Sequence, residues 1–281
     1  MQDDANFLAV VEPGGARVRA VTLPAGDAGL RQFDDLRGNK AHKLDLEACV
    51  AIEHEGRALL VAFGSGSTAR REFIALVDGW ETGATVVELV HAPRLYAGLR
   101  GAEAFAGSDL NVEGAICLGD RVRLFGRGNG ARRDRGTPVN ATCDLDWMTL
   151  HAYLRAPTVA PAPLPTGIVR YELGVLAGVP LGFTDATVLG DLVLFSAAAE
   201  ASPDATRDGR VTGSALGMIG VEGRTRWAAL TEPSGSPFAG KIEGIVPLEG
   251  DARRLLTVMD ADDALVASAL CTVELRGDWR A

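Results

Sequence analysis

Lysine is nearly absent from this chain of 281 residues. Only Lys40, Lys43 and Lys241 occur, and every other basic side chain is an arginine. All three lysines stand close to acidic motifs, which marks them for attention. Cysteine is sparse too. Cys49, Cys117, Cys143 and Cys271 are scattered with no CxxC pair, which argues against a zinc–thiolate site or a disulfide framework and for reduced, structural thiols. No run of about 18 apolar residues exists, so no segment is expected to span a membrane. The opening MQDDANFLAVVEPGG has acids where a secretory leader carries its basic region. A cytoplasmic location is the expectation. Excess positive charge is missing as well. The formal net charge is −9 and the pI about 5.0, so nucleic acid is not expected as a partner. Long helical periodicity is also lacking.

What the chain does have is a repeat. One acidic-small-apolar pattern occurs four times: DLEACVAI from Asp45, NVEGAICL from Asn111, FTDATVL from Phe183 and KIEGIVPL from Lys241. Each is followed by a turn and a second apolar strand, namely ALLVAFGSGS, RVRLFGRGNG, DLVLFSAAAE and RLLTVMDADD. Repetition at this scale signals solenoids, propellers or arrays. Further strand-like runs lie at 73–77, 85–90, 122–125, 168–173, 192–196 and 255–259, bounded by turn residues. One short helix is predicted at 93–99. The Pro- and Ala-rich stretch 156–165 reads as a loop inside one unit.

Each unit has room for four strands, and four-stranded sheets repeated about an axis make a β-propeller. The expectation is an all-β, single-domain, five-bladed propeller with units at about 1–44, 45–110, 111–182, 183–240 and 241–281. Four or six blades are the alternatives. The first blade is expected to be incomplete, because Asp3-Asp4 and the strand 7–11 resemble only the late part of a unit.

With the motifs DLEA, FGSGSTARRE, LNVEGA, FTDAT and KIEGI in view, the chain resembles a family of bacterial β-propeller proteins of unknown function. That family is marked by a KxDxEA stretch, an FGSGS-x-RRE loop and later xxEGI repeats. More distantly, the chain is similar to propellers labelled phytase-like or esterase-like. The resemblance spans about residues 3–274. It implies the fold and no particular reaction. Calcium-dependent phytases are propellers with an acid-lined channel that holds cations; this chain has the acids but no phytase active-site motif.

A cyclic fold should gather Glu47, Glu113, Asp185 and Glu243 around one channel mouth, with Asp45 and Glu200 as extensions. Converging carboxylates raise one another's pKa unless they are neutralised. A hard cation such as Ca²⁺, paired basic side chains or water would each serve. Lys43 and Lys241 favour pairing, so no cofactor is required. The loop GSGSTARRE, carrying Ser65, Ser67, Arg70 and Arg71, could converge backbone amides on an anion. It lacks the P-loop pattern. The stretch from Arg127 to Gly136 repeats that chemistry, so two basic loops should flank the acids. No nucleophile elbow is present. His42, between two lysines, is the one histidine placed to act as a base. The stretch Asp144–Trp147 reads as an exposed strand, and Asp260, Asp262 and Asp263 as a turn without the remaining features of a calcium loop. Three functions fit: a binder of a small polar or anionic ligand, a hydrolase of phosphate or carboxylic esters, and a protein-interaction scaffold.

Overall fold

The computed structural model describes residues 4–12, 17–26, 29–130, 132, 136–204, 206, 209–220, 223–261 and 265–279. It is a β-propeller of four blades beside a separate two-stranded sheet. The two-stranded sheet pairs β1 (Phe7–Val11) with β2 (Val18–Thr22). The first blade runs β3 (Leu46–His54), β4 (Arg57–Gly64), β5 (Phe73–Asp78) and β6 (Val86–His91). The second runs β7 (Val112–Leu118), β8 (Arg121–Gly126), β9 (Asn140–Asp146) and β10 (Thr166–Tyr171). The third contains β11 (Val175–Leu176), β12 (Val179–Leu189), β13 (Leu192–Ala201), β14 (Arg210–Ile219) and β15 (Thr225–Ala229). The fourth has three strands, β16 (Lys241–Leu248), β17 (Asp251–Asp260) and β18 (Ala269–Glu274).

All neighbouring strands are antiparallel, as consecutive hairpins require. The four repeat motifs form or open β3, β7, β12 and β16; β3, β7 and β16 are edge strands, while β12 has only the two-residue β11 outside it. These strands pack side by side in that order. The number of blades is therefore four, the last of them three-stranded, because the first unit contributes only β1 and β2, paired with each other. Between β2 and β3 the described residues make turns and a 3-10 segment at Lys40–His42. The expected residue Asp3 lies outside the described residues.

Three helices stand outside the repeat: α1 (Pro93–Gly101), α2 (Glu103–Ala106) and α3 (Trp147–Arg155). The first was anticipated; the third was not. Asp144 and Asp146 do lie on a strand, the end of β9, but of the two only Asp146 is exposed. Asp144 is buried and paired with Arg123 at 2.6 Å, and Asp146 caps α3 by accepting from the Thr149 amide at 2.8 Å.

Apolar burial occurs between blades. The first and second blades close over Phe63, Tyr96, Leu124 and Tyr153, with the helices adding Leu95, Leu99 and Leu150. The second and third blades meet at Phe183, whose ring makes edge-to-face contacts with Phe125, Tyr171 and Phe195 at 5.1–5.6 Å. The β1–β2 sheet packs Leu8 and Val21 with Ala62, Ala75 and Val77 of the first blade. Between that sheet and the fourth blade runs a groove bordered by Phe7, Phe33, Leu36, Leu265 and Val266.

One glycine fixes the approach of α1. Gly66 has φ +69°, and a Cβ there would stand 2.4 Å from the Tyr96 ring. The Tyr96 hydroxyl in turn donates to the Gly64 carbonyl at 2.8 Å. Gly66→Ala is expected to destabilise the protein by about 2–4 kcal/mol, through strain and displacement of Tyr96. Urea unfolding monitored by circular dichroism reads this; a midpoint matching the parent would mean the loop relaxes freely.

Candidate functional site

Each inner strand carries one extra residue at the same rung of its ladder. Leu46 pairs with Gly64 and Ala48 with Phe63, which leaves Glu47 between rungs. Glu113 is passed over in the same way between Val112 and Gly114, and Glu243 between Ile242 and Gly244. A bulge of this kind turns its side chain out of the regular alternation. Three of the four expected ring acids thus occupy equivalent sites. The fourth does not. In β12 the skipped residue is Thr184, between Phe183 and Asp185. Asp185 falls at the rung held by Ala48, Gly114 and Gly244. Matching the motifs by their acids, rather than by the bulge, put it one residue out.

The displaced acid has its own partners. Asp185 Oδ2 accepts the Ile245 amide of β16 at 2.8 Å, joining two inner strands. Burial pushes its carboxyl up to about 7, against the opposing effect of the Ile245 and Ala186 amides. β7 can lie close by because a Cβ on Gly114 would meet the Asp185 and Ala186 backbone at 3.1–3.2 Å.

The other acids line a small mouth together with cations. Five cationic side chains (Lys40, Lys43, Arg71, Arg127, Lys241) face five carboxylates (Asp45, Glu47, Glu113, Glu200, Glu243). Arg127 bridges two of them, with Nη1 on Glu113 at 3.2 Å and Nη2 on Glu200 at 2.7 Å. Lys241 continues the chain to Glu200 at 3.5 Å and Glu243 at 2.6 Å. Lys43 reaches Asp45 and Asp4, both at 2.8 Å. Asn111, which holds the motif position of Asp45, donates to Glu113 at 2.6 Å.

These surroundings drive the carboxylates apart in acidity. Burial pushes Glu113 up to about 7, although Arg127 and Lys241 oppose it; Glu243 adds to the rise. At Glu200 burial acts the same way but is outweighed. Arg127 and Lys241, with donors from Ser202 and Gly209, hold that carboxyl at about 2. The mouth thus combines a firmly ionised carboxylate with one that exchanges protons near neutrality.

The two basic loops turn largely inward. Arg71 Nη1 pairs with Asp45 at 2.8 Å and donates to Ser67 at 2.9 Å, while Ser65 also donates to Asp45. The anion gathered by the GSGSTARRE loop is therefore the chain's own Asp45, which sits at φ +55°. Arg70 is exposed, as is Arg132 of the second loop. In that loop Arg127 is buried, and Ala131, Arg133, Asp134 and Arg135 lie outside the described residues. His42 is exposed and does not line the mouth. His54 and His151 stack 4.1 Å apart in a separate groove beside α3. Asp260 pairs with Lys241 in the backbone ladder, and Asp262 and Asp263 lie outside the described residues. Asn111, Asn129 and Thr206 line the mouth and were not anticipated. Only Asn111 had a readable signal, its alignment with Asp45.

Among the described residues, no group of three or more His, Cys, Asp or Glu is arranged to hold a metal ion. The four cysteines are free. No helix among the described residues is long and apolar enough to cross a membrane.

The fold and mouth define a β-propeller with a charge-balanced axial site. The chain belongs to a family of unknown function, DUF6910, whose model matches residues 39–264. No curated protein matches it.

Two outcomes follow from the ion network. Arg127→Met leaves Glu113 and Glu200 facing each other while buried. A loss of about 3–5 kcal/mol is expected in denaturant unfolding, the usual effect of stripping one partner from a buried pair. The second concerns pH. Glu113 and Asp185 have raised pKa values, so between their ordinary range and about 7 the folded state binds more protons than the unfolded one. Their contribution therefore weakens stability as pH rises from about 5 to 8. Thermal unfolding across that range should show Tm falling, with a shallower fall in Glu113→Gln. An identical slope in the variant would remove Glu113 from the explanation.

Proposed function

We propose that the mouth of the propeller binds the polar head of a small hydrophilic or anionic ligand. One observation carries this reading: a pocket fed by all four blades is lined wholly by polar and charged side chains, with cations and carboxylates in equal number. Lys40 and Glu243 retain about a fifth of their side-chain surface, at 21% and 19%, and Glu47 is half-buried. A ligand bearing both donors and acceptors can exchange with these rim groups without leaving a buried charge uncompensated. The more enclosed pairs of Lys43, Asp45, Arg127 and Glu200 supply a fixed frame beneath them.

A second reading has a specific support. Glu113 sits in the mouth as a carboxyl poised near neutrality, the property a general acid or base needs. In that reading the protein hydrolyses a phosphate or carboxylic ester, with Glu113 moving the proton and Arg127 offsetting developing charge. The hydroxyls nearest the loop, Ser65 and Ser67, are held by Asp45 and Arg71, which favours binding over nucleophilic catalysis.

A thermal-shift screen of phosphate, citrate, amino acids and small polyamines should find a stabilising ligand. Calorimetry with that ligand should then show Glu47→Gln weakening affinity by about tenfold. Nitrophenyl phosphate and acetate esters should show no turnover above buffer. Ester hydrolysis abolished by Glu113→Gln in a folded variant would replace the binding reading with the catalytic one.

A further inference from the structure

The mouth is small, about 30 Å³, with room for only a few waters. Beside it, between the second and third blades, opens a cleft of about 470 Å³, within the range of small-molecule sites. Arg127 and Glu200 form its inner end; Pro138, Val179, Pro180 and Ala201 flank it. Asn140 holds the two walls together. Its Oδ1 accepts the Gly128 amide at 2.9 Å and the Phe183 amide at 3.1 Å, and its Nδ2 donates to the Leu181 carbonyl at 2.8 Å. The cleft is thus pre-formed.

One buried donor there has no acceptor. Arg127 is 4% exposed, and its two terminal nitrogens are engaged, yet its Nε–H makes no hydrogen bond. Such a group is costly to leave unmet and calls for a partner. Its direction follows from the planar guanidinium. Nε–H shares an edge with Nη2, and Nη2 points at Glu200. The enclosed donor therefore lies on the Glu200 edge of the guanidinium, against Gly182, which lines the cleft and not the mouth. Gly182 makes room for this side chain, since a Cβ there would stand 2.9 Å from Arg127 Cγ.

The chemistry of the missing acceptor is constrained. An anion at Nε would stand against the Glu200 carboxylate and be repelled. A neutral hydroxyl accepts from Nε–H and can donate to Glu200 with the same oxygen, in place of the Ser202 hydroxyl that lines the cleft. The prolines and Val179 offer C–H surface to the remainder of such a molecule. We propose that this cleft binds a neutral polyhydroxylated ligand the size of one or two sugar rings, with one hydroxyl lodged between Arg127 Nε and Glu200. The inference does not depend on the mouth binding anything.

The test uses ¹⁵N-labelled full chain and maltose, glucose and sorbitol as probes. The Arg127 Nε–H resonance, assigned by its loss in Arg127→Lys, should shift saturably with at least one of them. Ala201→Trp narrows the cleft from an exposed position and leaves the ion network untouched; it should weaken that binding by about tenfold or more. Inorganic phosphate should leave the resonance unmoved. The proposal is overturned if none of the three polyols shifts it, which would leave a water as the acceptor, or if phosphate competes. It is equally overturned if polyol binding survives Ala201→Trp and disappears in Glu47→Gln, which would put the ligand in the mouth instead.

Discussion

Four inner strands meeting at one axis must neutralise the acids they bring together. Everything at the mouth follows from how this chain meets that demand. Arg127 is the central element, because it touches a carboxylate of its own blade and one of the next. Lys241 then extends the line into the fourth blade, and Arg71 with Lys43 does the same for Asp45 in the first. Hydrophobic contacts hold blades face to face, but they are non-directional. The charged pairs fix how the inner edges align, since an ion pair buried at 3% exposure tolerates little displacement of either partner. Buried pairs of this kind are weak sources of net stability compared with apolar packing. Their value here is in setting geometry and in leaving a polar surface at the centre.

The bulge is the local device that makes this possible. In a regular strand Glu47, Glu113 and Glu243 would each point to one face of its own blade. Skipping one residue per strand re-aims these acids while the rest of the strand keeps its apolar faces for the interblade core. In the third blade the skipped residue is Thr184, which donates to Ser196 at 2.9 Å rather than joining the ion network. The third blade supplies its charge through Glu200 on β13 instead. The site is therefore asymmetric: three blades contribute a bulged acid and the third contributes Glu200.

Much of the fold was legible in the sequence, because hairpins of alternating apolar residues closed by Gly, Asp and Asn turns are local signals. The strand at 7–11 and the helix opening at Pro93 could be read that way. The number of full blades could not, since whether β1 and β2 stand alone or join another sheet depends on long-range pairing. The helix α3 was hidden because Asp144 and Asp146 alternate with Leu145 as in a strand, while the stop signal is Asp146 acting as a cap. At the site, Glu47, Glu113 and Glu243 could be found by repeat alignment, and Lys43 and Lys241 by the scarcity of lysine and their closeness to those acids. Asp185 was misplaced because its motif conserves the acid's presence but not its register. The inward turn of Arg71 and Arg127 left no trace in composition, where a Gly/Ser/Arg loop looks equally suited to an external anion.

That inward turn also makes charge balance compatible with the binding proposed for this site. Had the two loops kept their arginines outward, the axis would hold unmatched carboxylates and the rim would be a basic patch. With Arg71 and Arg127 drawn in, strong attraction for any one ion is removed from the centre. What remains for a visitor is hydrogen-bonding capacity at fixed positions: rim groups that can exchange partners, and a single N–H of Arg127 that the protein itself does not satisfy. Recognition under those conditions depends on matching donors and acceptors rather than on net charge. On the proposed reading, a visitor carrying both donors and acceptors gains more from such a surface than a bare ion does, because it can exchange with the pairs already made rather than break them.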